Sequence, residues 1–186
     1  MNATLAGLFG AWRLFLRDPA ALAVFDNSPE SARRSFAAAL FTLPIFLLWA
    51  TVGPDSIESR RGPIQTALIH AIFYTLIWTV WPVAMLHIAR LLDRRHHYCR
   101  YLAAYNWSMV VQAGIWLVAF LIAGAFGMSG LPVQIVTVAA VAAVLLYHVF
   151  VLKTALELDT LPAAAVAGFK FVLYQILLGL HYAALT

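Results

Sequence analysis

The chain has little charge and almost no cysteine. Only 11% of its 186 residues are charged, whereas charged residues make up roughly 25% of soluble domains. Hydrophobic residues make up 63% of the chain. So few charged side chains cannot cover the surface of a water-soluble fold of this length, which excludes a soluble globular protein. The single cysteine, Cys99, excludes a disulfide framework within the chain. Most of the apolar material is therefore expected to face lipid.

Motifs that carry catalysis are also lacking. The sequence contains no Gly-rich phosphate-binding loop, no Ser-His-Asp grouping and no pair of carboxylates. Acidic residues number only 8, and none lies deep in an apolar segment, which disfavours a cation-coupled pump with Asp or Glu as proton carrier. We predict that the protein is not an enzyme.

Five long apolar segments are present instead. A membrane-spanning helix needs about 20 mostly apolar residues, and the segments that meet this need are 36–52, 64–89, 101–126, 133–152 and 163–185. Turn and helix-start residues separate them, namely Gly53 with Pro54, Gly62 with Pro63, the stretch 127–130, Pro132 and Pro162. The sequence thus predicts an all-α polytopic membrane protein, with a cytoplasmic amino-terminal segment 1–34 and a five-helix transmembrane bundle over 35–186.

Basic residues are distributed asymmetrically along these segments. Ten of the twelve Lys and Arg residues lie before span one, between spans two and three, or around the loop between spans four and five. The opposite side has only Arg60 and Arg61. Because basic residues accumulate in cytoplasmic loops, we expect a bacterial inner-membrane protein with a cytoplasmic amino terminus and a periplasmic carboxyl terminus. The net charge of +4 is then a topology signal, and nucleic acid is not expected as a partner.

The amino-terminal segment carries apolar residues at helical spacing, which are Leu5, Leu8, Phe9, Trp12, Phe15 and Leu16. With Arg13 and Arg17 beside them, they predict an amphipathic helix in the cytoplasmic membrane interface. A helix packed on the protein's own loops is the alternative. The pair Asp18-Pro19 is expected to end this helix, and Ser28-Pro29 to begin the next.

Polar residues within the spans are the candidates for function, because a bilayer interior penalises them. They form stripes on single helical faces, and the main members are Lys170, Tyr174 and His181 on span five, Ser108 and Gln112 on span three, Gln134 and His148 on span four, and His70 on span two. Lipid would leave their polar atoms without hydrogen bonds. The stripes are therefore expected to face one another in a central polar seam.

Two interpretations of this seam remain open. In the functional one, it is a substrate or proton path in which Lys170 meets an anionic group and histidines, His87 included, relay protons. In the structural one, its side chains hold the helices together through hydrogen bonds of about 0.6 to 2 kcal/mol each. Lys170 would then extend its long stem toward the cytoplasmic interface.

Histidine and cysteine also raise two cofactor hypotheses. His87 and His148 near the cytoplasmic ends of their spans, or His70 and His181 near the external ends, could ligate b-type haem. A second cluster comprises His96, His97 and Cys99, but zinc sites normally use two separated ligand pairs. The prediction is that the protein holds no metal and no cofactor, with a haem redox protein as an alternative.

A basic patch lies between spans two and three. It comprises Arg90, Arg94, Arg95 and Arg100, with aromatic residues such as Tyr98 beside it. Such a juxtamembrane patch attracts anionic lipid headgroups by about 1 kcal/mol per basic residue. Alternatively, these arginines only set the topology.

The closely spaced spans and the lead that contains Phe15-Leu16-Arg17-Asp18-Pro19 resemble the bacterial branch of the Yip family of polytopic membrane proteins. The resemblance implies a compact five-helix bundle. Eukaryotic members bind small GTPases through a longer cytosolic region with an aspartate, leucine, tyrosine, glycine and proline signature. This chain lacks that signature, so a GTPase partner is not implied.

These observations favour a non-enzymatic inner-membrane protein that organises or accompanies other membrane components. Its basic cytoplasmic face would bind anionic lipid or a protein partner, either in a larger membrane complex or in a homo-oligomer. The alternative is a small oligomeric transporter or channel that uses the seam around Lys170, Gln112 and His70.

Overall fold

The structure, a computed structural model, describes residues 2–52 and 59–186. Its helices are α1 (Ala3–Phe15), α2 (Pro29–Ser35), α3 (Ala38–Val52), α4 (Pro63–Leu91), α5 (Tyr98–Ala125), α6 (Leu131–Leu156) and α7 (Thr160–Leu185). Short 3₁₀ turns at Pro19–Val24 and Arg95–His97 precede α2 and α5. The all-α prediction is confirmed for this part of the chain. The turn predicted at Gly53 and Pro54 lies outside the described residues.

Within residues 2–52 and 59–186, five helical segments are long and apolar enough to cross a membrane, as the sequence predicted. They cover Pro29–Val52, Pro63–Leu91, Arg95–Ala125, Leu131–Leu156 and Thr160–Leu185. The first combines α2 and α3, which are separated by only two residues. Helix α4 continues through Pro82 without interruption.

Local sequence accounts for where several elements begin. The Asp18 carboxylate accepts a hydrogen bond from the Ala20 amide at 3.0 Å and caps the first 3₁₀ turn. The Ser28 hydroxyl accepts one from the Ser31 amide at 3.1 Å and caps α2. Between α5 and α6 the backbone turns through Gly127 and Gly130, whose φ angles of 56° and 61° favour glycine.

Helix α5 lies at the centre of the packing. It packs against α1, α2, α3 and α6, whereas α7 packs against α4 and α6. The core is concentrated where α5 begins, α6 ends and α7 begins, with a continuous buried stretch over 101–108. Residues 113–139 and 168–180 include no buried residue. Helices α5, α6 and α7 therefore bury one another at one end and lie more openly toward the other.

Helix α1 packs through its smallest residues. Its buried face consists of Gly7, Gly10, Ala11 and Leu14, and a Cβ atom on Gly7 would lie 2.4 Å from the ring of Trp107 in α5. The Tyr147 hydroxyl of α6 donates a hydrogen bond to the Ala11 carbonyl at 2.7 Å. The helix thus rests on α5 and α6 as well as on the 3₁₀ turn that follows it.

Four large apolar residues of α1 and its carboxyl end lie on the opposite side from this buried face. Leu5, Phe9, Trp12 and Leu16 are between 50% and 60% exposed. Both expectations for this helix therefore have a counterpart in the fold, because one face packs on the protein and the opposite, more apolar face is uncovered.

Candidate functional site

Lys170 reaches from α7 across to α5. Its Nζ atom lies 3.5 Å from Gln112 Oε1 and 4.6 Å from the centroid of the Tyr105 ring. Gln112 Nε2 donates to the Ser108 hydroxyl at 3.0 Å, and that hydroxyl donates to the Tyr105 carbonyl at 2.7 Å. The structure thus brings together three predicted seam residues, Lys170, Gln112 and Ser108.

The Lys170 ammonium stays at its own depth in the bundle. Lys170 lies ten residues into α7, or about 15 Å along it, and its partner Gln112 lies fourteen residues into α5, or about 21 Å. The Tyr105 ring, which the ammonium also contacts, belongs to a residue only about 10 Å into α5, so the contacts of Lys170 lie on both sides of its own depth. The extension of its stem toward the cytoplasmic interface stays a prediction. A charged lysine near a bilayer centre costs about 2.5 to 3.5 kcal/mol on insertion scales.

This ammonium has no carboxylate partner among the described residues, where the ion pairs involve only arginine and histidine. Its other contact is the Met109 sulfur at 3.9 Å. The positive end of Lys170 is therefore held by an amide oxygen, a thioether and an aromatic ring, and its charge is not neutralised by these groups.

His148 lies beside this cluster. It is 1% exposed, and its ring stands edge-on to Trp81 and Tyr105, with centroid distances of 5.7 Å and 5.6 Å. Neither ring nitrogen has a hydrogen-bond partner among the described residues. An unpartnered buried polar group costs about 1 to 3 kcal/mol, so His148 retains unused hydrogen-bonding capacity next to the ring that Lys170 contacts.

His70 and His181 form a separate pair toward the other end of the bundle. His70 Nδ1 lies 3.0 Å from His181 Nε2, and the His181 ring stacks on Phe73 at a centroid distance of 4.0 Å. Phe46 of α3 stands edge-on to His70 at 6.3 Å. These contacts join α3, α4 and α7 at the end of the bundle opposite the main core. At that end, α5 and α6 have no buried residue.

Two polar clusters thus replace the single seam. His181 lies eleven residues beyond Lys170, or about 16 Å along α7. The residue expected to bridge them, Tyr174, is 37% exposed. It lies in the stretch of α7 that has no buried residue, so it is only partly covered by the rest of the protein.

Gln134 is not part of either cluster. It lies in the first turn of α6 and is exposed. Fourteen residues, or about 21 Å of helix, separate it from His148 on the same helix. A shared helical face therefore did not bring these residues to one site, because only the last part of α6 is enclosed by other helices.

The histidines do not fit a bis-histidine haem. His70 and His181 are in direct hydrogen-bond contact, which leaves no room between them for an iron and its macrocycle. His87 is exposed whereas His148 is buried, so this second pair does not present two ligands to one space. Within residues 2–52 and 59–186, no three His, Cys, Asp or Glu side chains cluster in a way that could hold a metal ion.

The basic patch divides into free and engaged arginines. Arg90 and Arg95 are exposed, and Arg94 is partly exposed. Arg100, in contrast, contacts Glu157 Oε1 at 3.2 Å and His97 Nδ1 at 3.0 Å. Because Glu157 ends α6, Arg100 fastens α5 to the α6–α7 connection and is not a free headgroup ligand.

Sequence reasoning missed Asn27. Its side-chain oxygen accepts a hydrogen bond from the Arg100 amide at 3.0 Å, and its Nδ2 donates to the His96 carbonyl at 2.5 Å. Asn27 therefore ties the amino-terminal segment to the start of α5. Chain order contains no signal that links residue 27 to residue 100.

No family model, curated protein or solved structure matches this chain. The resemblance to the Yip family stays a prediction.

The histidine pair yields a testable prediction. In a double-mutant cycle of His70→Phe and His181→Phe, we expect a coupling energy of about 1 kcal/mol, because interhelical hydrogen bonds in membrane proteins reach about 0.6 to 1.7 kcal/mol. The measurement is unfolding of the purified protein in mixed micelles. Thr75, whose hydroxyl donates to the Ala71 carbonyl within α4, serves as a control through Thr75→Val with His181→Phe. A coupling energy equal to that of the control pair would contradict the contact.

Proposed function

We propose that the protein is a non-enzymatic, multi-pass protein of a bacterial inner membrane, with a cytoplasmic amino terminus and a periplasmic carboxyl terminus. Its basic face would bind anionic lipid headgroups and so organise or accompany other membrane components. The observation that carries this proposal is the set of arginines Arg90, Arg94 and Arg95, which lie in the last turn of α4 and in the connection that leads to α5. In the described chain, none of their side chains has a carboxylate partner.

The position of α1 supports this orientation. It contacts Trp107 and Tyr147, which lie about 13 Å from the basic ends of α5 and α6. Helix α6 is about 39 Å long, so it exceeds a hydrocarbon core of about 30 Å and its ends extend beyond it. Contacts at this depth put the uncovered apolar face of α1 close to the headgroup boundary, where amphipathic helices bind.

Other basic residues at this end are partly neutralised. Arg33 and Arg34 both contact Glu30, and Arg13 pairs with Asp18. Arg17 and Lys153 keep their charge, because they bond to the uncharged Leu146 carbonyl and Thr160 hydroxyl. At about 1 kcal/mol per free basic residue near an anionic surface, Arg90, Arg94 and Arg95 should still form the largest single group of contributors.

The test is retention of anionic lipid by the purified full chain. After reconstitution with phosphatidylcholine and phosphatidylglycerol, the combined change Arg90→Gln, Arg94→Gln and Arg95→Gln is expected to reduce bound phosphatidylglycerol by at least about tenfold, since three favourable charges are removed. Native mass spectrometry would count the bound lipids.

The matched control uses the opposite end of the molecule. Arg60→Gln with Arg61→Gln removes two charges on the side that the proposal places outside. In vesicles whose phosphatidylglycerol is confined to the leaflet at the basic end, these two residues meet no anionic headgroup, and phosphatidylglycerol retention should change by less than about twofold. Equal losses in the two sets of variants would contradict a specific cytoplasmic patch.

A further inference from the structure

We propose that Lys170, with Gln112, Tyr105 and His148, forms a binding site for the negatively charged oxygen headgroup of a bilayer amphiphile. The headgroup would be a carboxylate or a phosphate. This inference rests on the membrane insertion included in the proposed function, but it concerns a different site from the arginines of the α4–α5 connection.

The chemistry of the cluster selects an oxyanion. The Lys170 ammonium has hydrogen bonds to give, and its present contacts with an amide oxygen at 3.5 Å and a sulfur at 3.9 Å are long. No carboxylate in the described chain forms an ion pair with it. A ligand oxyanion would supply a charge-assisted hydrogen bond that the protein itself does not provide.

His148 is the second, independent observation. It is almost completely buried, and both ring nitrogens lack a hydrogen-bond partner. Its ring and the Lys170 ammonium both contact the Tyr105 ring, so unused donor capacity from α6 and from α7 converges on one residue of α5. If these side chains served only to hold the helices together, we would expect the His148 nitrogens and the Lys170 ammonium to have short hydrogen bonds within the protein, and they do not.

The surroundings select an amphiphile over a small soluble anion. Beyond the cluster, residues 113–139 and 171–180 contain no charged residue and no buried residue. Lys170 is partly exposed, and its neighbours Phe169 and Phe171 are 50% and 38% exposed. An uncovered apolar surface of this kind suits an acyl chain, whereas a soluble anion would need a path lined by polar groups.

The depth of the site agrees with this choice. Lys170 lies about 15 Å from the basic end of α7, close to the level of about 13 Å at which α1 contacts α5. Helix α7 is about 39 Å long, so a hydrocarbon core of about 30 Å centred on it would begin about 5 Å from its end and would enclose the ammonium about 10 Å below the boundary. A ligand that reaches this depth is dissolved in the bilayer, and its tail would lie alongside the open parts of α5, α6 and α7.

The experiment measures equilibrium binding of radiolabelled palmitate and of phosphatidic acid to the full chain in a zwitterionic detergent. We expect Lys170→Met to weaken binding by at least about tenfold, as for loss of a hydrogen bond to a charged group. Lys170→Arg should retain it. The control is Lys153→Met, which removes the only other lysine, placed at the basic end, where it bonds to Thr160.

A second measurement needs no variant. On the unaltered protein, hexadecanol should compete at least about tenfold less well than palmitate, because it has the same tail without the charge. Equal competition by the alcohol, or unchanged binding in Lys170→Met, would overturn the proposal. Inorganic phosphate that competes as well as palmitate would overturn the amphiphile assignment.

The arginine variants separate the two proposals. The combined Arg90, Arg94 and Arg95 change to glutamine should leave palmitate binding within about twofold of the original, because those residues bind from the bilayer surface. Loss of palmitate binding in that variant, with none in Lys170→Met, would overturn the Lys170 site and leave the surface patch in place.

Discussion

Replacing Gly7 with leucine is expected to lower the free energy of unfolding by about 3 kcal/mol, at the upper end of the range for overpacked sites. A Cβ atom at this position would lie 2.4 Å from the Trp107 ring, and Trp107 is itself buried. Helix α1 would have to move away from α5, which would also break the bond from Tyr147 to the Ala11 carbonyl. Unfolding in mixed micelles and proteolysis of the amino-terminal segment would measure the two effects.

Gly114 provides the matched control. It also lies within a helix, but a Cβ atom there would have no neighbour within 4 Å. Leucine has a higher helix propensity than glycine, so Gly114→Leu should stabilise by up to about 1 kcal/mol. If the two glycine variants shift stability in the same direction, the close approach of α1 to α5 is wrong.

Replacing Trp81 with alanine is expected to cost about 3 kcal/mol. Trp81 is 3% exposed, donates from its indole nitrogen to the Tyr101 hydroxyl at 2.8 Å, and contacts the His148 ring. Truncations of buried tryptophan cost about 3 to 5 kcal/mol in soluble proteins. The lower value is expected for a helix in the proposed membrane, because lipid is as apolar as the protein core. The cost of the truncation then comes mainly from lost packing contacts.

The control for this change is Trp116→Ala. Trp116 is 41% exposed in the open part of α5, and its truncation should change the unfolding free energy by about 0.5 kcal/mol or less. Tyr101→Phe should fall between the two, at about 1 to 3 kcal/mol, because it leaves the buried Trp81 N–H without an acceptor. Comparable losses for Trp81 and Trp116 would contradict a core confined to one end.

The sequence predicted the helices well because their signals are local. Apolar length sets the five long helices, and Ser28 begins a helix through a bond only three residues away. The contact of Lys170 with Gln112 could be predicted for a related reason, because a polar helix face in an apolar environment needs a polar neighbour.

Other parts of the site could not be predicted, because helical periodicity identifies a face without identifying what covers it. Gln134 and His148 share a face of α6, yet only His148 is enclosed. Likewise, Arg100 is part of a basic run in the sequence, but in the fold it contacts the Glu157 side chain. Glu157 lies where α6 ends, at a residue with a φ of 55°. The role of Gly7 depends on Trp107, a hundred residues away in the chain.

The packing of α1 on α5 and α6 also bears on how the chain is made. Tyr147 is synthesised 136 residues after its partner Ala11, which is a delay of about 10 s at ordinary rates of translation. In the proposed membrane topology, the large apolar side chains of α1 can bind the membrane surface during that interval, and its glycine face stays available until α6 emerges from the ribosome.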